Sequence, residues 1–190
     1  MIRTETIPVS SSITWLGRLE IVENDITRIT ADAIVNAASH SLLGNAGLSA
    51  ALFAAAGPEL RDECAALGGC ASGEAKITKA YRLSARHVIH AVGPIWYGGV
   101  DREDEVLARC YESCFKLVER YGHRTIAFPS IGTGAHGFPL ERAASIALAA
   151  ITGFLVRNAA VEKITVVCYD RETYRGYLRT LQDLISAANT

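Results

Sequence analysis

The sequence has no long apolar run, no surplus of either charge and no paired-cysteine pattern, and each absence removes a class of function. No apolar stretch approaches the roughly 18 residues that a bilayer-spanning helix needs, and the N-terminus shows no basic region followed by an apolar core. A cytoplasmic protein without a membrane partner is expected. The net charge of −1 gives no general field to attract nucleic acid or an anionic surface. Any phosphate must therefore be held locally, by backbone N–H groups. The five cysteines, Cys64, Cys70, Cys110, Cys114 and Cys168, are odd in number, form no C-x-x-C pair and have no histidine at zinc-ligand spacing nearby. They are expected to be buried, reduced thiols, with Cys110 and Cys114 one helical turn apart on one face; neither zinc nor any cofactor is expected. No G-x-S-x-G elbow, internal repeat, coiled-coil pattern or interdomain linker is present.

What remains is 190 residues, 49% of them hydrophobic, enough for one α/β core and one domain over residues 1–190. Residues 1–12 are polar and serine-rich and read as an edge strand or a loose arm. Trp15 to Glu23 alternates as a strand does. Asp32 to Asn36 is a short β-branched strand, followed by a polar, glycine-bearing loop and an alanine-rich helix from Leu48 to Ala56. Gly57 ends that helix and Pro58 starts the next, to about Leu67. Strands at Glu74 to Ala80 and Arg86 to Val92 precede an amphipathic helix from Asp104 to Tyr121 with acidic residues at its start. A strand at Thr125 to Phe128, a second glycine loop, a helix from Pro139 to Val156, a strand at Lys163 to Tyr169 and a helix from Glu172 to Ala187 complete the chain. Strands alternating with helices predict a largely parallel sheet covered on both faces.

Two loops carry the chemistry. In the first, Asn36 to Gly47, strand gives way to glycine loop and then to helix start. The first amides of a helix lack intrahelical partners and sit at its positive end, and Gly44, Ala46 and Gly47 leave room for a phosphate to approach them. The second, Gly132-Thr133-Gly134-Ala135-His136-Gly137, matches G-x-G-x-x-G between a strand and a helix. A dinucleotide-binding Rossmann site would need an acidic residue about 20 positions on, at the end of the next strand. The sequence has Arg157-Asn158 there, and too little chain follows to build the second half of such a site. Two glycine loops clamping one diphosphate is the better use of both motifs, against the plain alternative of two ordinary strand-to-helix turns.

The run V-N-A-A-x-x-S-L-L-G-x-x-G with A-A-G-P-E-L after it, and F-P-S-I-G-T-G-x-x-G-F-P-L later, resembles the macrodomain family, in particular its MacroD-type hydrolase branch, over nearly the whole chain. The resemblance implies a three-layer α/β/α fold with a mixed, largely parallel central sheet. It also implies binding of ADP-ribose or its derivatives, with removal of ADP-ribose from modified side chains or hydrolysis of O-acetyl-ADP-ribose. By position it implies that Asp25 and the Ile26 amide read adenine and that Tyr169 stacks on it. Gly44, Ala46, Gly47 and Leu48 would take the phosphates on one side, and Ser130, Gly132, Thr133, Gly134, Ala135 and His136 on the other. Asn36 would fix the first loop. On residue type alone, Asp25 caps the turn entering Thr27 and Tyr169 packs on the last helix.

Two departures touch catalysis. Ser39 stands where the family has an asparagine against the distal ribose, and Ser49 where the hydrolase branch has an aspartate that orients the attacking water. A hydroxyl holds water but is no base near neutral pH. His136 stands where relatives often have tyrosine. It packs on the ribose as that ring would or, like His40, supplies a replacement base; His40 otherwise points to solvent. His87 and His90 read as satisfied core or edge residues. Two functions follow: a hydrolase using Ser39, Ser49 and His136, or a non-catalytic reader of ADP-ribose. The expected partner is ADP-ribosylated protein, or nucleic acid carrying the same group, and the expected state is monomeric.

Overall fold

A computed structural model describes residues 14–44 and 46–188 of the chain, so the segment 1–12, expected as an edge strand or loose arm, lies outside the described residues. Among them, β1 (Leu19–Glu23), β2 (Ala33–Ala37), β3 (Ala75–Lys79), β4 (His87–Ala91), β5 (Thr125–Pro129) and β6 (Lys163–Cys168) form one sheet in the order β1-β6-β5-β2-β4-β3. All neighbours pair in parallel except β3 with β4.

The alternation along each strand builds the layers. Ala33, Val35, Ile126, Phe128, Ile164 and Val166 pack under α3 (Glu103–Tyr121), α4 (Leu140–Arg157) and α5 (Arg171–Ala188). Ile34, Val88, Ala127 and Val167 point the other way, towards α1 (Gly47–Ala56) and α2 (Pro58–Ala66). A sheet buried on both faces needs apolar residues at consecutive positions, and Ala33-Ile34-Val35 supplies them at zero exposure. Phe115 and Phe154 stack at 4.1 Å between α3 and α4, and Phe128 meets Phe115 edge-on from the sheet.

The helices and strands stand within about two residues of their expected bounds, with one correction at the start. Trp15 to Glu23 is not all strand, because Leu16–Arg18 is a 3-10 turn. Arg18 donates to the carbonyls of Leu155, Asn158 and Val161 at the end of α4, and that anchorage bends the backbone before the strand begins. All five cysteines are free and buried.

The parallel strands bring their carboxyl ends to one edge. β2 and β5 are neighbours there, so the loops that follow them, which are the two glycine loops, stand side by side. Asn24 N donates to Cys168 O at 2.9 Å, which sets the exits of β1 and β6 against each other on the same edge.

Candidate functional site

The two loops line a cleft of about 440 Å³, whose wall also includes Ala37, Ala38, Gly93 and Ile131. On one side are Ser39, Gly44, Ala46, Gly47, Leu48 and Ser49; on the other are Ser130, Gly132, Gly134, Ala135 and His136. Ala46, the N-cap of α1, makes no side-chain hydrogen bond, so the first amides of that helix remain for a ligand in the cleft. A larger cavity of about 620 Å³ lies along β1, lined by Glu20, Glu23, Arg28, Lys163 and Arg171 among others, but neither glycine loop reaches it. For an anion, the smaller cleft is the better fit.

Local packing holds the loops open. Gly44 has φ of +46°, and a Cβ there would lie 2.5 Å from the Phe53 ring, so this glycine serves packing on α1 as well as access. Leu42 holds φ of 62° because its side chain is buried in the core beneath α1. In the second loop Thr133 turns away from the cleft wall, donating to Ser130 O at 3.1 Å and lying 2.9 Å from Ser130 Oγ. Tyr177 of α5 reaches the same Ser130 hydroxyl at 3.2 Å. A Cβ on Gly93 would lie 2.8 Å from Ile131 Cγ2, so the exit of β4 closes against the second loop.

A family model described as Macro domain matches residues 35–147, a span that takes in both glycine loops. The chain belongs to the macrodomain family. It is 46% identical over 170 residues to a macro domain-containing protein of Methanosarcina mazei, covering 90% of this chain and 91% of that one. It is also 46% identical over 169 residues to an O-acetyl-ADP-ribose deacetylase of Salmonella typhimurium, covering 87% and 94%. The Oceanobacillus iheyensis macrodomain with ADP superposes with a TM-score of 0.85 at 37% identity, covering 98% and 97% of the two chains. The Trypanosoma brucei macrodomain in complex with ADP-ribose gives 0.85 at 35% identity, covering 92% and 73%.

Within this macrodomain the expected site residues fall into three groups. Ser39, Ser49 and His136 are together on the cleft wall. Ser39 is exposed, with its hydroxyl 3.2 Å from that of Ser41. Ser49 is buried, and its hydroxyl donates to Asn36 Oδ1 at 3.0 Å. His136 Nδ1 faces the Pro94 carbonyl at 3.1 Å; a carbonyl only accepts, so Nδ1 carries a proton and donates.

Asp25, Ile26 and Tyr169 form the second group, at the joined exits of β1 and β6. Asp25 caps the following turn, accepting from Thr27 N at 2.9 Å and Thr27 Oγ1 at 2.7 Å through Oδ1, while Oδ2 lies 3.9 Å from Arg28 Nε. Tyr169 is 84% exposed, which removes the alternative that it packs on the last helix.

Asn36 stands apart, fully buried behind the cleft wall, with Nδ2 3.2 Å from His90 Nδ1. His90 is a satisfied core residue, but His87 Nδ1 is buried without a hydrogen-bond partner among the described residues, against the expectation for it. His40 is exposed, as expected of a residue pointing to solvent, with Nδ1 3.0 Å from Cys70 O, and it does not line the cleft. Gly93 was missed; its signal was a Gly-Pro step at a strand exit, the third such loop on this edge.

Proposed function

We propose that this macrodomain binds ADP-ribose across the carboxyl edge of its sheet and hydrolyses O-acetyl-ADP-ribose to ADP-ribose and acetate, with ADP-ribosylated carboxylates as protein substrates. The observation that carries the proposal is the pair of glycine loops facing one cleft at the uncapped start of α1. The diphosphate would meet the amides of Gly47 and Leu48 on one side and the Gly132 to Ala135 backbone on the other. Adenine would extend to Asp25, the Ile26 amide and Tyr169, whose π-face under a base is worth about 1–3 kcal/mol.

The distal ribose would then lie among Ser39, Ser49 and His136. A water there adds to the acyl carbon, the ester C–O bond breaks, and the water's proton passes to the departing ribose oxygen. The serines orient that water but do not deprotonate it. Proton acceptance falls to His136, through Nε2 when the ring is neutral, or to the substrate's own phosphate. The relatives named deacetylases support the reaction class. The test is calorimetric titration with ADP-ribose together with turnover of O-acetyl-ADP-ribose by wild type and by Ser49→Ala.

A second reading has its own observation. The Ser49 proton is committed to Asn36 and the two family side chains are replaced, which suits a reader that binds without turnover. Tight binding with turnover no faster than buffer would establish it.

A further inference from the structure

Behind the cleft wall runs a chain of buried polar groups that crosses three strands and reaches Ser49. Ser49 Oγ lies 3.0 Å from Asn36 Oδ1, Asn36 Nδ2 lies 3.2 Å from His90 Nδ1, and His90 Nε2 lies 2.9 Å from Thr78 Oγ1. Asn36 and His90 are register partners on β2 and β4, and Thr78 is on the edge strand β3. Asn36 and His90 have zero exposure and Thr78 has 2%. Cys64 of α2 covers the ring, with Sγ 3.4 Å from Nε2.

Hydrogen-bond polarity makes this chain directional. With the carboxamide nitrogen turned to the ring, as the Asn36 side chain is placed, His90 Nδ1 accepts from Asn36 and the ring proton sits on Nε2. Nε2–H then donates to Thr78. Burial holds the imidazole neutral by pushing its pKa down to about 4, so one tautomer, not the imidazolium, is the working form. With Nδ2 turned to His90, Asn36 presents Oδ1 to Ser49 and accepts a hydrogen bond from its hydroxyl. The other tautomer would reverse every step: Nδ1–H would call for Oδ1, the carboxamide would turn over, and Ser49 would receive a proton from Nδ2 and point its own towards the cleft.

We infer that His90 is a positioning residue for the cleft: through Asn36 its Nε2–H tautomer fixes Ser49 as a hydrogen-bond acceptor towards the distal end of the ligand, and Thr78 holds that tautomer. A water or ribose hydroxyl beside Ser49 is accordingly oriented with a hydrogen towards the serine and its lone pairs free to face the reacting carbon. This inference rests on the hydrolytic reading for its kinetic consequence only; the tautomer rests on the placement of the Asn36 carboxamide, nitrogen to His90 and oxygen to Ser49.

The experiment uses Thr78→Val, an isosteric change that removes the acceptor at the far end and touches no cleft residue. Nitrogen-15 spectra of histidine-labelled wild type are expected to show His90 protonated at Nε2 and bare at Nδ1, with the Nδ1 resonance moving when ADP-ribose is added. Thr78→Val is expected to shift His90 towards the Nδ1–H form. With O-acetyl-ADP-ribose it should lower kcat by three- to tenfold while KM and ADP-ribose affinity stay within twofold. In a Ser49→Ala background the same change should leave kcat unmoved, because the chain no longer ends on a hydroxyl. A His90 ring protonated at Nδ1 in wild type overturns the inference. So does an equal loss of kcat with and without Ser49, which would mean that Thr78 acts on the fold. If no variant turns over substrate, the hydrolytic reading fails, and the spectra alone decide the tautomer and its response to ligand.

Discussion

At Asp25 a family role and a local role meet on one carboxylate. Oδ1 is occupied by Thr27, and Oδ2, with a distant arginine as its one partner among the described residues, is the atom that the proposed adenine contact would use. Asp25→Ala should therefore weaken ADP-ribose by about tenfold or more, the worth of one hydrogen bond to a charged group, and leave ribose 5-phosphate binding unchanged. Equal losses for both ligands in calorimetry would mean that only the cap mattered. The serines make a sharper case. Replacing Ser49 by aspartate sets a carboxylate against Asn36 Oδ1, which now lies 3.0 Å from the serine oxygen, so the carboxamide must turn over and His90 must move its proton to Nδ1. Ser39→Asn with Ser49→Asp should raise deacetylase kcat at least tenfold, about 1.4 kcal/mol off the barrier, with the His90 tautomer reversed in the same variant. A faster enzyme with His90 unchanged would break the link between the two. Ser39, Ser49 and His136 were legible in the sequence because they fall inside motifs. The Asn36–His90–Thr78 chain was not, since His90 and Thr78 sit in strands that read only as apolar alternation, and pairing register, which local pattern does not carry, brings them to Asn36.

Among the elements, the loops after β2 and β5 line the cleft proposed to bind ADP-ribose, and their facing arrangement comes from adjacency in the sheet. Gly134 is the position where this is easiest to test. A Cβ there would meet nothing within 4 Å and its φ is not in the left-handed region, so a side chain is tolerated by the fold. Gly134→Glu should melt within a few degrees of wild type yet lose ADP-ribose binding by at least a hundredfold, because bulk and negative charge enter the diphosphate's place. Retained affinity in the folded variant would take the second loop out of the site. Gly44 is the contrasting case: the sequence suggested access, but the Phe53 ring, 2.5 Å from where a Cβ would stand, shows a packing demand that no local motif announces. Helix bounds were legible from Gly57-Pro58 and from the acidic first turn of α3. The first strand was overextended because Arg18 is recruited by α4, 137 residues away in sequence. A similar hidden contact shapes the stretch after Gly93. There the Glu103 carboxylate accepts from the amides of Tyr97, Gly99 and Asp101, and although burial opposes its charge, those donors hold its pKa near 2.

Over the whole molecule, the buried histidines set the acid limit of stability. Desolvation lowers His87, His90 and His123, in His90 from the ordinary 6.5 to about 4. An unfolded chain then takes up protons that the folded one refuses, so the histidine contribution to unfolding free energy is level above pH 6.5 and falls as pH drops towards 4. His90 alone should account for a loss on the order of 3 kcal/mol across that window. His123 is fully buried, and neither of its ring nitrogens has a hydrogen-bond partner among the described residues. His123→Leu should therefore raise the melting temperature more at pH 5 than at pH 8; the same gain at both would assign its effect to packing alone. The opposite edge of the sheet carries the two glycine loops. The central claim is that one ADP-ribose lies along that edge with its diphosphate between the two glycine loops. A crystal structure of the protein with ADP-ribose tests it most directly. The account predicts phosphate oxygens about 3 Å from the amides at the start of α1 and of the Gly132 to Ala135 loop, with the distal ribose beside Ser49 and His136. A diphosphate seated instead in the larger cavity along β1, or making no contact with either loop, would contradict it.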